Sequence, residues 1–207
     1  MEFVDLSHVI DNDIKVNPLD PSAVLLHNKF LEKDGYNHFW LEIGLHTGTH
    51  IDSPMHMIHS EKYINNYDPG RFCGRAVLID VREQDVIMYD EKYDQLIQKD
   101  DIVLFYSGHD ARYRKKDYFS THPVLDMEFA EFLGKKRISI VGLDFPSPDF
   151  TPYDVHKKLY EHDIIIMENL RNLGKLIGKS IRIYAFPLNI KADSSPVRVI
   201  AEISRNE

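Results

Sequence analysis

Short apolar runs rich in β-branched and aromatic residues constrain the fold of this chain more than any other feature. Ile102–Tyr106 and Ile138–Leu143 are two such runs, and longer amphipathic stretches lie between them. Runs of this length and composition favour strands, and the alternation predicts mixed α and β structure. The predicted strands are Phe3–Ile10, Asn37–Leu45, Arg75–Val81, Ile102–Tyr106, Ile138–Leu143, Ile164–Met167, Ile181–Pro187 and Val197–Ile203.

Three helices are predicted from capping residues and helical spacing. Met127–Leu133 follows Asp126, whose side chain suits an N-cap. Thr151–Glu161 opens with Thr-Pro, a capping residue followed by a proline at the first helical position. Asn169–Ile177 carries leucine and isoleucine at helical spacing and ends before Gly178. The predicted loops are 11–22, 60–74 and 107–124, the last of them long for a compact domain.

Composition limits the class of protein. A chain of 207 residues, 43% of them hydrophobic, can bury one sizeable core, so a single domain over residues 1–207 is predicted. The formal net charge of −8 argues against nucleic acid or an anionic membrane as partner, because both attract basic surfaces. The single cysteine, Cys73, permits no internal disulfide, and neither a signal peptide nor a membrane-spanning run is evident. A cytoplasmic protein is therefore expected.

Histidines are concentrated in one short segment. The chain has 11, and four of them lie between residues 46 and 59: His46, His50, His56 and His59. In an extended segment alternate side chains share a face, so Asp52 would join the first three if Gly48 and Pro54 turn the chain.

The residue types of this segment are those of a metal site. Neutral imidazole and carboxylate are the usual ligands of zinc and manganese. Since no cysteine lies nearby, the predicted site is of the catalytic kind, with a coordination position left for water. A set of surface or hydrogen-bonded histidines is the alternative interpretation. It suits the isolated histidines, such as His8 and His122, better than this group.

Residues 46–56 also resemble a known signature. They read His-Thr-Gly-Thr-His-Ile-Asp-Ser-Pro-Met-His and match every fixed position of His-X-Gly-Thr-His-X-Asp-X-Pro-X-His. This pattern is similar to the signature of the cyclase/kynurenine formamidase family of metal-dependent hydrolases. Further segments that resemble family motifs extend over nearly the whole chain, among them 142–149, 168–170 and 195–198.

The resemblance implies a fold and a site. The fold would be α/β, a single domain with a β-rich core of the swivelling β/β/α type, assembled as a homodimer or homotetramer. Two divalent ions per chain are implied, zinc above all, with manganese or iron as alternatives. Asp52 would contact both ions, and His56 would be the catalytic proton donor and acceptor. The implied metal ligands are His46, His50, Asp52, His156 and Glu168.

The implied activity is hydrolysis of a C–N amide bond in a small molecule by a metal-activated water, as in arylformamidases. The same residues could cleave an ester or open a lactam or lactone, and a non-catalytic metal-binding protein is a further alternative. Two departures from the formamidase pattern concern the substrate. Asn17 stands where formamidases carry an aromatic residue, and His109 stands where many relatives carry tryptophan. The substrate pocket is therefore expected to differ from theirs.

Overall fold

Short strands make up more of the regular structure than helices do. The computed structural model of this chain describes residues 2–204. The strands are β1 (Glu2–Asp5), β2 (Val24–Lys29), β3 (His38–Glu42), β4 (His50–Asp52), β5 (Cys73–Asp80), β6 (Val86–Ile87), β7 (Ile102–Tyr106), β8 (Val124–Leu125), β9 (Ile140–Leu143), β10 (Ile165–Glu168), β11 (Ile181–Tyr184), β12 (Ser194–Pro196) and β13 (Ile200–Ile203). The α-helices are α1 (Leu31–Asp34), α2 (Tyr93–Leu96), α3 (Met127–Lys136) and α4 (Asp154–Glu161), and 3-10 turns occupy Pro54–His56, Ile64–Asn66, Pro69–Phe72, His109–Arg112 and Leu173–Leu176.

One mixed sheet dominates the described part of the chain. Nine strands of residues 2–204 form it, in the order β1-β13-β11-β5-β7-β9-β10-β4-β12. The central strands β5, β7, β9 and β10 run parallel to one another, and the flanking pairs are antiparallel. Parallel strands are buried on both faces, which is why the central runs of the sequence are continuously apolar.

The sheet is strongly curled. In a flat sheet β12 and β13 would lie about 34 Å apart, since seven strand spacings of about 4.8 Å separate them. The chain joins them with residues 197–199 alone, a link that spans at most about 14 Å. The two flanks of the sheet must therefore approach each other, and Val4 of β1 and Ile51 of β4 do lie in one apolar cluster.

The central strands separate two apolar layers. Alternate residues of β7 point to opposite faces. Val103 and Phe105 pack with Phe129 of α3 and Leu159 of α4 on the outer face. The residues between them, such as Leu104, pack inside the curl of the sheet. The helices thus cover one face, and the sheet itself encloses the other.

A separate hairpin of β2 and β3 stands away from both layers. The two strands pair only with each other among the described residues. Every residue of β3 is exposed, including Phe39 at 55% and Trp40 at 58%, and Leu26 of β2 is 52% exposed. This is an unusual amount of apolar surface for one hairpin.

Two of the three predicted helices need correction. The helix expected at Asn169–Ile177 is wrong, because only Leu173–Leu176 forms a single 3-10 turn. Asn169 and Asn172 have positive φ angles of 56° and 62°. The amide of Leu170 binds the carbonyl of Leu143 in place of a helical partner. Asparagine tolerates this left-handed conformation, which interrupts a helix.

The helix expected at Thr151–Glu161 begins later, at Asp154. The Thr-Pro pair lies upstream of it and does not cap it. The carboxylate of Asp149 instead accepts a hydrogen bond from the amide of Val155 at 2.8 Å. The third predicted helix is confirmed, with Asp126 as its N-cap.

The strand predictions hold best at the centre of the sheet. The runs at β5, β7, β9 and β10 are confirmed, and Ile181–Pro187 shortens to β11, whereas β2, β4, β6, β8 and β12 were not predicted. Phe3–Ile10, Asn37–Leu45 and Val197–Ile203 shorten to β1, β3 and β13. Among residues 2–204 no helix is both long and apolar enough to cross a membrane.

Candidate metal centre

The turn before β4 and the strand itself carry three of the predicted ligands. Gly48 bends the chain with a φ of 66°, so that His46 turns back beside the strand. His50 and Asp52 are two residues apart in β4 and therefore share a face. Both are buried. One ligand atom from each of these three side chains lies within 4.8 Å of the other two.

The two oxygens of Asp52 face different histidines. Oδ1 lies 3.1 Å from Nδ1 of His46, and Oδ2 lies 3.4 Å from Nε2 of His50. The other ring nitrogen of His50, Nδ1, donates to the carbonyl of Gly48 at 2.9 Å. That bond places the proton on Nδ1 and leaves the lone pair of Nε2 directed at the carboxylates.

Glu168 ends β10 directly opposite His50 in the antiparallel pairing of β10 with β4. Paired residues point to the same face, so the carboxylate meets the histidine. Oε2 of Glu168 lies 3.3 Å from Nε2 of His50, and Oε1 lies 3.3 Å from Nε2 of His156. Glu168 therefore links the β4 group to helix α4.

His156 is held in place by Asp149. Nδ1 of the buried imidazole donates to Oδ1 of this carboxylate at 2.6 Å, and the second oxygen binds the amide that begins α4. A carboxylate that accepts from one ring nitrogen fixes the tautomer and directs the other nitrogen outward. In this structure Nε2 points to Glu168.

His56 reaches the same region from the 3-10 turn that starts at Pro54. Its Nδ1 donates to Oδ2 of Asp193 at 3.1 Å, and Nε2 of His46 donates to the same oxygen at 3.1 Å. The His46 and His56 rings lie 4.2 Å apart, centroid to centroid. One carboxylate thus orients both imidazoles.

The structure brings all six predicted site residues to the wall of one cavity of about 300 Å³. Two important neighbours were missed. In the sequence, Asp149 belongs to the family-like segment 142–149, with no role of its own. Its position seven residues before His156 is the one local feature that could have indicated a partner for that histidine. Asp193 lies 137 residues from His56, and no spacing in the sequence connects them. The wall contains His46, His50, Asp52, His56, His156 and Glu168.

The polar atoms of this cavity fit a divalent cation. Nε2 of His50, Oδ1 of Asp52 and Oε1 of Glu168 are buried without a hydrogen-bond partner among the described residues. Such atoms are rare in a folded protein and call for an explanation. Ligands about 2.1 Å from one ion at tetrahedral angles would lie about 3.4 Å apart, close to the 3.1–3.4 Å separations found here. A nitrogen and oxygen donor set of this kind suits zinc, manganese or iron.

Electrostatics also favour a positive occupant. Burial lowers the pKa of His46, but Asp52 and Asp193 outweigh that effect and raise it to about 10. Burial opposes ionisation of Asp52 as well, yet the neighbouring histidines hold its pKa well below the usual range. The pKa of His156 rises in the same way to about 9, despite burial, because of its carboxylate partners. The histidines therefore hold protons here, and those protons compensate the charge of the carboxylates when no other cation does.

The two residues that depart from the formamidase pattern lie in different places. Asn17 lines the cavity. His109 is buried outside its wall, and its Nε2 donates to the carbonyl of Tyr118 at 2.8 Å. His122 was predicted to be structural, yet it lines the cavity and its ring lies 4.1 Å from that of Phe150.

Known sequences include both a family model and individual proteins that are similar to this chain. A family model with the description "Putative cyclase" matches residues 4–150. The kynurenine formamidase of Bacillus cytotoxicus is 32% identical to this chain over 207 residues, and the match covers 96% of each protein.

Two solved structures share the fold. An isatin hydrolase bound to the product analogue thioisatinate superposes with a TM-score of 0.89 at 22% identity, covering 99% of this chain and 93% of that protein. A potential metal-dependent hydrolase with cyclase activity superposes with a TM-score of 0.82 at 24% identity, covering 100% and 99%. The predicted α/β fold with a β-rich core of the swivelling β/β/α type is thereby confirmed.

Proposed function

Because the chain belongs to the Putative cyclase family, we propose that it is a metal-dependent hydrolase of non-peptide C–N amide bonds, similar to arylformamidases. The observation that carries this proposal is the convergence of three buried polar atoms, from His50, Asp52 and Glu168, that have no hydrogen-bond partner within residues 2–204. They line one cavity, and the wall of that cavity also contains His56, the proposed proton carrier.

The proposed metal ligands are those predicted from the sequence. His46, His50 and Asp52 would hold a first ion, and Glu168 with His156 would complete a two-ion centre that shares Asp52. When bound, divalent ions polarise a carbonyl group and lower the pKa of water to near neutrality. The chain supplies the orientation of the donor atoms, through the carbonyl of Gly48 and the carboxylate of Asp149.

His56 is the proposed proton carrier. The bond from Nδ1 to Asp193 leaves Nε2 as the free nitrogen of a ring that lines the cavity. Imidazole accepts and returns protons near neutral pH, so His56 can take a proton from the attacking water and deliver it to the leaving amine. Asp193 orients the ring and stabilises the imidazolium that forms in between, as carboxylates do in other proton relays.

The cavity wall supports a small, partly aromatic substrate. Phe119, Phe150 and Tyr153 contribute aromatic surface to the cavity wall, while Asn17 contributes an amide. An open-chain aryl formamide would use this aromatic wall. Asn17 replaces an aromatic side chain of the formamidase pattern, and this favours a second candidate, a lactam, lactone or ester of similar size. The proposed substrate class is thus a small aromatic amide, with its cyclic form as the alternative.

Hydrolysis assays on metal-analysed protein would test the proposal. The expected result is about two divalent ions per chain by elemental analysis, with turnover of N-formylkynurenine or formanilide. His50→Gln should lose metal and activity together, whereas His56→Gln should keep the metal and lose most of kcat. His59→Gln is the matched control, because His59 is exposed and lies outside the cavity wall.

The results of these assays distinguish the candidate substrates and functions. Turnover of the lactam isatin without turnover of either formamide would select the cyclic substrate. Bound metal without hydrolysis of any amide, lactam or ester would reject the enzyme and leave a metal-binding protein. Failure to bind zinc, manganese or iron after reconstitution would contradict the whole proposal.

We further propose that residues 1–207 act as one hydrolase domain, in the cytoplasm, and that the chain self-associates as a dimer or tetramer. The exposed apolar side chains of the β2–β3 hairpin support self-association, since apolar surface of this size is usually covered by a partner. The net charge of −8 is consistent with a small-molecule substrate rather than a nucleic acid.

A further inference from the structure

A second cavity, of about 480 Å³, lies behind the turn that carries His46 and His50. Its wall shares no residue with that of the metal cavity in the described part of the chain. Ile14 belongs to this wall, and a Cβ at Gly48 would meet its Cδ1 at 2.6 Å. The second cavity therefore borders the turn that contains Gly48. The polar residues of the second wall include His8, Asp11, Asp110, Arg114 and Arg171.

The two guanidinium groups in this wall make no close ion pair with its two carboxylates among the described residues. Within residues 2–204, the side chain of Arg171 forms no ion pair within 4.0 Å and no hydrogen bond. Arg114 meets only Asp11, at 3.8 Å, which is beyond hydrogen-bond distance. Oδ1 of Asp11 accepts from the amide of Asp13, and Oδ2 of Asp110 accepts from the amide of Asn172. The acidic side chains are thus partly engaged with the backbone.

The imidazole of His8 belongs to the wall of this cavity. Its ring stacks on Tyr113 at 3.6 Å, and its Nε2 is buried without a partner among the described residues. Burial, together with the charges of Arg171 and Arg114, lowers the pKa of His8 to about 4. The imidazole is therefore neutral at physiological pH, and the two guanidinium groups remain the cations of the cavity.

The cavity is built from three chain segments that are fixed to one another. The amide of Arg171 donates to the carbonyl of Leu6 at 2.9 Å, and the hydroxyl of Tyr113 donates to the carbonyl of Lys15 at 3.0 Å. The amide of Asn172 binds Asp110 at 3.0 Å. The backbone beside both arginines is consequently fixed, so binding would have to order only their side chains.

We propose that this cavity is a second ligand site, for a small oxyanion held by Arg171 and Arg114. Guanidinium groups present paired N–H donors that match carboxylate and phosphate oxygens, so either oxyanion satisfies the chemistry. This site is separate from the proposed metal centre and does not depend on the hydrolytic activity.

Hydrogen bonds connect the second site to the metal turn. The amide of His8 donates to Oγ1 of Thr49 at 2.9 Å, and that hydroxyl donates to the carbonyl of Asn169 at 2.7 Å. Asn169 in turn donates through Nδ2 to the carbonyl of Gly48, the acceptor that orients His50. Binding of an anion at this site should therefore change the NMR chemical shifts of the amides in this turn.

Titration of isotope-labelled full-length protein with acetate and with inorganic phosphate, followed by NMR, tests the proposal. The expected result is a saturable shift of the Arg171 Nε–H signal in the millimolar range, together with shifts of the Gly48 and Thr49 amides. Saturation by acetate alone would identify a carboxylate ligand, and saturation by phosphate alone a phosphate ligand.

Variants make the test specific. Arg171→Lys and Arg114→Lys should each weaken binding at least several-fold while the remaining spectrum stays that of the folded protein. Arg182→Lys is the matched control, because Arg182 is exposed on β11, outside the cavity. Linear shifts that never saturate, or saturation unchanged in both Arg171→Lys and Arg114→Lys, would overturn the second site.

Discussion

At the scale of single residues, Asp193 joins two functions that the sequence keeps far apart. One oxygen of its carboxylate accepts from both His46, a proposed metal ligand, and His56, the proposed proton carrier. The amide and hydroxyl of Ser53 both donate to the carbonyl of Asp193 at 2.8 Å. The residue is therefore fixed beside β4, and its charge serves the metal site and the proton relay together.

Asp193→Asn should lower kcat/KM about 10- to 100-fold, in line with the usual effect of losing a carboxylate that orients a ligand histidine. An amide oxygen carries no negative charge, so it holds the two imidazoles more weakly than the carboxylate does. Metal content and kcat/KM, measured on the same preparation, would check this. Asp154→Asn, an exposed change at the start of α4, is the control. Unchanged kinetics in Asp193→Asn would remove Asp193 from the mechanism.

Asp144 should make stability depend on pH. Burial raises its pKa to about 7, although hydrogen bonds from Ser107 and Gly108 lower it in part. Since the folded pKa exceeds the unfolded value of 3.8, the folded chain binds an extra proton between these values. The free energy of unfolding should fall, by up to a few kcal/mol, as pH rises from about 4 to about 7.

Urea unfolding at several pH values would measure this dependence. In Asp144→Asn the same interval should show a flatter profile, because the amide does not ionise. Glu32→Gln, an exposed change in α1, serves as the control. Profiles of equal slope in wild type and Asp144→Asn would refute the assignment to Asp144.

The residues of the site differ in how far a sequence can reveal them. His46, His50, Asp52 and His56 lie within eleven positions, so local spacing alone brought them together. His156 and Glu168 were indicated by the family resemblance and not by any local spacing. Asp193 could not be predicted, because its proximity to His56 depends on how β12 pairs with β4, which is a property of the folded sheet.

At the scale of elements, the turn before β4 is the most constrained. Gly48→Ala should destabilise the protein by about 1–3 kcal/mol, since a residue with a side chain is strained at positive φ and its Cβ would meet Ile14 at 2.6 Å. The displaced turn should also weaken metal binding. Thermal unfolding and a competitive chelator titration would measure the two effects.

A second glycine, Gly35, distinguishes the cost of backbone strain at positive φ from the cost of the contact with Ile14. Gly35 also has a positive φ, of 83°, but nothing lies within 4 Å of the Cβ position. Gly35→Ala should therefore show only the conformational cost and leave metal affinity unchanged. Adding Ile14→Ala to Gly48→Ala should recover part of the metal affinity. Equal losses of metal affinity in Gly48→Ala and Gly35→Ala would contradict the role given to the contact with Ile14.

Elements were predictable where local composition determines them. The apolar runs at β7, β9 and β10 are buried on both faces, and their sequences show it directly. β12 reads Ser-Ser-Pro, and proline disfavours a strand except at an edge. It is a strand only because β4 pairs with it at the edge of the sheet, so no local pattern could have revealed it.

At the scale of the whole molecule, the β2–β3 hairpin should govern self-association. Replacing Phe39 and Trp40 by serine removes two large exposed apolar side chains and should shift sedimentation toward the monomer. Leu19→Ser, a 93% exposed change outside the hairpin, should leave the sedimentation coefficient as it is. An unchanged oligomer in the Phe39/Trp40 variant would exclude the hairpin as the interface.

Residues 197–199, which join β12 to β13, affect how the sheet unfolds locally. A sheet with free edges frays strand by strand from its margins, and its interior exchanges amide hydrogens last. Here β13 cannot separate from β11 without pulling on β12, which lies against β4. The far flank of the sheet and the strand that carries His50 and Asp52 therefore form one cooperative unit, and hydrogen exchange should release their amides together.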